Sequence, residues 1–327
     1  MVILDLVERL GGVAEGHTVD VPLRGPGDAA AVRAWCTRTG NTLVRDDGNR
    51  VVVRRGQPRD PVLDLTPARR PGTRLWIYTN FDCNLACDYC CVRSSPRADR
   101  RALGADRIRR LATEAAAAGV TELLLTGGEP FLLPDLADTV TGCTDALPTT
   151  LLTNGMLLHG RRLQALRAMP RDRLRLQISL DSAQPERHDA HRGAGSWARA
   201  LAGIHTALAE GFTVRVAATL GADDPAEART LRGFLGKLGI PEDDQILRPL
   251  ARRGHATSGL ELTTASLIPE ITVTADGVFW HPVGADDADQ LVTPDLFPLA
   301  PAIQLVISRF RALLHAQAER ARAFPCA

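Results

Sequence analysis

The run Asn80-Phe81-Asp82-Cys83-Asn84-Leu85-Ala86-Cys87-Asp88-Tyr89-Cys90 decides how the rest of this 327-residue chain is read. It spaces three cysteines as C-x3-C-x2-C, with an aromatic residue before the last. Four-iron clusters normally take four thiolates. A cluster held by Cys83, Cys87 and Cys90 alone keeps one iron open, and an open metal position is where chemistry takes place. The competing reading is a structural zinc site, which calls for four ligands, often in C-x2-C pairs. Cys91 is the adjacent fourth thiol. Neighbouring cysteines rarely chelate one ion together, so Cys91 reads as a packed free thiol.

Working outward, apolar β-rich runs alternate with amphipathic stretches from Arg74 onward. Strands are expected at Leu75–Thr79, Glu122–Leu125, Thr149–Leu152, Leu174–Leu180, Thr213–Leu220 and Gln245–Pro249. Helices are expected at Ala105–Ala118, Leu133–Leu147, Arg161–Met169, Trp197–Glu210 and Pro225–Leu238. That alternation means parallel βα units. Six units are too few for a closed eight-fold barrel. The fold class is therefore α/β, a partial (β/α)6 barrel over residues 73–262. Residues 1–57 read as a small α+β unit, 58–72 as a proline- and arginine-rich linker, and 263–327 as an extension of one hairpin around Asp276-Gly277 and one helix from about Pro301 to Ala323.

Composition removes several alternatives. The net charge of +1 gives no field for nucleic acid. No apolar run approaches ~18 residues, so no membrane span is expected, and the first ten residues do not read as a signal peptide. Seven cysteines, three of them clustered, make a poor disulfide framework. A reducing cytoplasm suits a thiolate-held cluster. Lys237 is the single lysine, a bias of composition without functional content.

Further motifs fall at the ends of the expected strands, where catalytic residues of such folds belong. Thr126-Gly127-Gly128-Glu129-Pro130 ends the second; its glycines permit unusual dihedrals or close approach of a ligand, and Glu129 suits a bound ammonium. Thr153-Asn154-Gly155 closes the third and reads, alone, as an ordinary turn. On the fourth, alternation puts Gln177, Ser179 and Asp181 on one face. A loop follows, His188-Asp189-Ala190-His191-Arg192-Gly193-Ala194-Gly195-Ser196-Trp197, in which Ser196 is a natural N-cap and His188 and His191 read as loop or capping residues. Arg248-Pro249 ends the sixth strand, with Arg248 placed to face a pocket.

The cysteine run, the Gly127-Gly128-Glu129 motif and the loop ending in Trp197, in this order over residues 73–260, resemble the radical S-adenosylmethionine (radical SAM) enzymes. The resemblance implies a [4Fe-4S] cluster on Cys83, Cys87 and Cys90 whose open iron binds S-adenosylmethionine. It implies that Tyr89 packs near the adenine and that Gly127, Gly128 and Glu129 contact the methionyl amino group. Asn154 would wall the cofactor pocket, and Ser179, with a lesser part for Asp181, would bind the ribose or methionyl part. Arg192 would reach the cofactor carboxylate. It further implies reductive cleavage to a 5′-deoxyadenosyl radical, a flavodoxin- or ferredoxin-type electron donor, and a small-molecule or peptide substrate in cofactor or natural-product biosynthesis. A ribosomal-peptide maturase and a non-catalytic metal-binding or sulfur-trafficking module stay open as alternatives.

The ends carry weaker likenesses. Thr274 to Gly284 resembles the hairpin opening the SPASM extension of peptide maturases, with His281 where an auxiliary-cluster cysteine would sit. Only Cys326 follows, so a degenerate extension that caps the barrel is expected, with His281 plus Cys326 as the alternative. Asp28 to Leu43 resembles part of a TusA-like sulfur carrier lacking the Cys-Pro motif, and Cys36 is expected to pack.

Overall fold

The computed structural model describes residues 2–56, 60–221 and 225–323, with side chains as far as residue 317. The chain divides into two compact units, Met1–Thr66 and Pro67–Ala327. Two short 3-10 turns, Pro61–Asp64 and Pro67–Arg69, flank that boundary, in the stretch read as a linker; Pro58 and Arg59 of that stretch lie outside the described residues.

The first unit runs α1 (Val2–Gly11), β1 (Thr18–Pro22), α2 (Asp28–Thr39), β2 (Thr42–Asp46) and β3 (Arg50–Arg54). Its sheet has the order β1-β3-β2, both pairings antiparallel. Val2, Leu6 and Leu10 recur at helical spacing and pack with Val19, Val21, Val51 and Val53, which alternate along their strands. Cys36 lies in this core, 3% exposed, and burial raises its thiol pKa.

The second unit is built on one nine-stranded sheet. Its strands are β4 (Arg74–Tyr78), β5 (Glu122–Thr126), β6 (Thr149–Thr153), β7 (Leu174–Ser179), β8 (Thr213–Leu220) and β9 (Gln245–Pro249), followed by β10 (Thr272–Thr274), β11 (Gly277–Phe279) and β12 (Leu291–Thr293). The helices between and after them are α3 (Ala105–Ala117), α4 (Leu136–Ala146), α5 (Gly160–Ala168), α6 (Pro185–Arg192), α7 (Ser196–Ala209), α8 (Pro225–Lys237) and α9 (Leu299–Ala323). From β4 to β9 every neighbouring pair is parallel and in sequence order, giving the partial (β/α)6 barrel. Leu123, Leu124 and Leu125 are all buried, as a parallel strand covered on both faces requires. On α3, Ile108, Leu111, Ala112 and Ala115 make the buried stripe at i, i+3, i+4 and i+7.

Three features depart from the sequence reading. The stretch ending at Arg192 is a helix, α6, entered through Pro185 and closed at Gly193 with φ +99°; it is not a loop. The hairpin around Asp276-Gly277 is not a free-standing cap. β10 pairs in parallel with β4, Thr272 level with Trp76, so the hairpin continues the barrel sheet. β12, unanticipated, adds a third antiparallel strand beyond it. Among the described residues no helix is long and apolar enough to cross a membrane.

Candidate active site

The β4–β5 ladder runs on past the strand ends and fixes the cysteine loop. The Thr79 amide donates to the Thr126 carbonyl at 2.7 Å, Gly128 to Asn80 at 2.9 Å and Glu129 to Asp82 at 3.0 Å. Asn80, fully buried, is the hub: its Nδ2 donates to the Asp82 and Glu129 carbonyls at 2.9 and 3.2 Å. The two glycines are required by this contact. A Cβ on Gly127 would lie 2.4 Å from Asn80 Oδ1, and one on Gly128 2.2 Å from the Asp82 carbonyl oxygen. Neither adopts positive φ. The close approach is therefore between two loops, where the sequence suggested unusual dihedrals or a ligand. Sequence reasoning passed over Asn80; a polar residue ending an apolar strand was the available signal.

Glu129 departs from its expected exposure to a ligand. Its carboxylate is fully buried behind the cavity wall. Oε1 accepts from the Phe131 amide at 3.0 Å and the Thr153 hydroxyl at 2.8 Å, and Oε2 from the Asn154 amide at 2.8 Å. Burial raises its pKa against these bonds. Glu129 thus ties the β5 loop to the β6 loop. Asn154 follows directly: its Nδ2 donates to Asn84 Oδ1 at 2.8 Å and its Oδ1 accepts from the Met156 amide at 3.0 Å, so the turn also reaches the cysteine loop.

On the other side, Asp181 just beyond β7 is the buried centre of a second cluster. Arg192 grips it with Nε to Oδ2 at 2.5 Å and a terminal nitrogen to Oδ1 at 3.2 Å. Tyr89 donates its hydroxyl to Oδ2, and the Thr219 amide donates to Oδ1 at 2.9 Å. The Arg192 guanidinium also lies 5.4 Å from the Tyr89 ring centroid. Burial opposes the Asp181 charge, but Arg192 and these donors outweigh it and lower the pKa. The Asp181 amide donates to His188 Nδ1 at 3.1 Å. His188 is 1% exposed, and burial pushes its pKa down to about 4, so it is a neutral buttress. His191 is exposed beside Asp88, 2.9 Å away.

The α7 cap is also reassigned. Asp189, not Ser196, does the capping: its carboxylate accepts from the Gly195 amide at 2.6 Å, the Ser196 hydroxyl at 2.9 Å and the Trp197 amide at 2.7 Å. These bonds draw its pKa down.

Cys83, Cys87, Cys90, Tyr89, Gly127, Gly128, Asn154, Ser179 and Arg192 all line one cavity of about 390 Å³. Glu129 and Asp181 stand behind its wall. The Ser179 hydroxyl has no protein hydrogen-bond partner among the described residues. Arg248 lines the cavity as expected of it, and so do Cys91 and His281, which the sequence had placed elsewhere. Cys326 lies outside the described residues.

The sulfurs suit an anionic cluster. The Leu85 amide lies 3.4 Å from Cys83 Sγ and the Ser94 amide 3.3 Å from Cys90 Sγ, the kind of N–H···S bond that tunes such clusters. Burial pushes the Cys83 thiol up to about 12 and Cys87 up to about 11. Bound cation is what would hold them as thiolates. Among the described residues no three His, Cys, Asp or Glu side chains converge as ligands of a single ion.

The Radical SAM superfamily pattern matches residues 77–228, from near the end of β4 to the first turn of α8. Residues 77–228 are a radical SAM domain. Such a domain takes a [4Fe-4S] cluster and S-adenosylmethionine, and the cysteine trio and cavity fit both. The chain is 36% identical over 140 residues to the AdoMet-dependent heme synthase of Methanosarcina barkeri, covering 42% of this chain and 40% of that protein. It is also 36% identical over 140 residues to the PqqA peptide cyclase of Ruegeria pomeroyi, covering 42% and 37%. The chain thus spans less than half the length of these curated relatives. The fold is shared with Streptococcus suis SuiB bound to S-adenosylmethionine, at TM-score 0.50 and 20% identity, over 59% of this chain and 44% of that one.

Proposed function

We propose that the chain is a radical SAM enzyme acting on a small molecule or on a peptide side chain. What supports this most is the meeting of the three cysteines with Tyr89, Asn154, Ser179 and Arg192, drawn from four separate motifs, around one cavity. With cluster and S-adenosylmethionine bound, that pair would supply one-electron reductive cleavage to methionine and a 5′-deoxyadenosyl radical that abstracts hydrogen from substrate.

The chain's residues have positioning roles in this reading. Cys83, Cys87 and Cys90 hold the cluster. Glu129 and Asn80 set the cysteine loop against the β5 and β6 loops. The Asp181–Arg192–Tyr89 cluster fixes the Tyr89 ring on the wall, and the unpartnered Ser179 hydroxyl is a hydrogen-bonding group for the cofactor. Leu250, Leu260 and Leu262 line the cavity with apolar surface. A flavodoxin- or ferredoxin-type donor is part of the proposal.

Anaerobic reconstitution tests it. About four irons per chain and 5′-deoxyadenosine formed from S-adenosylmethionine on reduction are expected, both lost in Cys83→Ala. Stoichiometric zinc with no 5′-deoxyadenosine would overturn the reading.

A further inference from the structure

Beyond Phe279 the chain turns from the hairpin into the cavity. Phe279 is level with Thr272, and Thr272 with Trp76 of β4. Tyr78 then donates its hydroxyl to the Pro282 carbonyl at 2.8 Å, so the segment carrying His281 is pinned to the strand that leads to the cysteines. The Val283 amide donates to His281 Nδ1 at 3.1 Å. That bond fixes the tautomer: Nδ1 is the acceptor, so the neutral ring carries its proton on Nε2. Nε2 has no protein acceptor among the described residues, and the ring lines the cavity. Burial, then Arg248 and Arg74, push the His281 pKa down to about 4, so the group is an uncharged donor at neutral pH.

Arg248, at the end of β9, lines the same cavity. Its side chain is exposed and makes no ion pair or hydrogen bond among the described residues. The other arginine on this wall, Arg192, is committed to Asp181, and Arg74, close to His281, is committed to Glu270. The cavity therefore offers a free guanidinium and a neutral N–H donor, beside the apolar side chains of Leu260 and Leu262. A monoanion with two acceptor oxygens matches that set. A phosphate dianion would meet only one cation.

We infer that His281 and Arg248 form a carboxylate-recognising corner of the cavity, which receives a carboxylate carried by the substrate. The inference rests on the radical SAM reading and adds the substrate's chemical class to it.

Hexanoate and its uncharged isostere hexanamide are suitable probes, titrated calorimetrically into reconstituted enzyme loaded with S-adenosylmethionine. Hexanoate is expected to bind about tenfold or more tighter than hexanamide, the scale of one charge-assisted contact. His281→Phe and Arg248→Gln should each remove most of that preference while S-adenosylmethionine affinity is kept. His281→Gln, which retains an N–H donor, should restore part of it and controls for folding. Equal binding of the two probes would overturn the inference. So would an Arg248→Gln variant that loses S-adenosylmethionine instead, since that assigns the guanidinium to the cofactor. The 5′-deoxyadenosine assay on the same samples separates the two readings. Its absence in the unmutated enzyme sinks the proposed reaction, whereas its presence without a hexanoate preference sinks the carboxylate corner alone.

Discussion

Asp181 and Arg192 form a two-point ion pair with 5% and 9% of their side chains exposed. The pair joins the end of β7 to the end of α6, and Tyr89 from the cysteine loop shares it. Removing one partner leaves a buried charge uncompensated. Asp181→Asn should therefore lose about 3–5 kcal/mol of stability, read by urea denaturation of the cluster-free protein. Arg192→Lys, which keeps the charge but not the planar fork, should lose less. Equal stability of Asp181→Asn and the parent would refute the pair as a structural tie.

Glycine-to-alanine changes test the seam between the loops. A Cβ on Gly128 would clash with the Asp82 carbonyl, and one on Gly254, whose φ is +65°, would lie 2.1 Å from the Cys90 carbonyl oxygen. Each substitution should cost about 1–3 kcal/mol, as overpacking does, and lower iron bound per chain on reconstitution. Full iron loading in Gly128→Ala would show that the cysteine loop does not depend on this contact.

The pH dependence of stability has a definite sign. His188 holds its pKa near 4 in the fold against about 6.5 unfolded. Between those values the unfolded chain takes up a proton that the folded chain refuses, so stability falls as pH drops from about 6.5 to 4, by up to roughly 3 kcal/mol from His188. His281 contributes in the same direction. Glu129, with its raised pKa, works the opposite way. His188→Gln keeps an acceptor for the Asp181 amide and should flatten the slope relative to the parent. Parallel stability–pH curves for the two proteins would contradict this account.

Asp189→Ala removes the α7 cap from outside the helix. A loss of about 1 kcal/mol is expected, and Ser196→Ala should cost less, because its hydroxyl only donates to the Asp189 carboxylate. The reverse order of the two, measured by thermal unfolding, would return the cap to Ser196.

The parallel strands were legible because runs such as Leu123–Leu125 are apolar on both faces, and the glycines and prolines between them mark the turns. β12 was not legible, since three residues carry no period. The helix α6 was missed because its residues are almost all polar, with one buried side chain, His188. The site was readable as a list of motifs but not as an arrangement. Asp181, Arg192 and Tyr89 were each assigned to the cofactor by resemblance, motif by motif, while the bond joining Tyr89 to Asp181 spans 92 residues of chain. Glu129 shows the same limit: nothing local to the Gly127-Gly128-Glu129 stretch tells whether its carboxylate faces a ligand or the β6 loop.

The parallel pairing of β10 with β4 carries a consequence for biosynthesis. During translation, β5 reaches its place beside β4 within about fifty residues, but the opposite border of β4 waits for a segment nearly two hundred residues downstream. Until residue 272 and its neighbours leave the ribosome, the strand that suspends the cysteines has one bare side, and Tyr78 lacks its Pro282 acceptor. Metal delivery to a properly shaped thiol trio is thereby placed after the β10 segment has been made. A nascent chain stalled before that point should take up iron poorly although it already contains every one of the three cysteines.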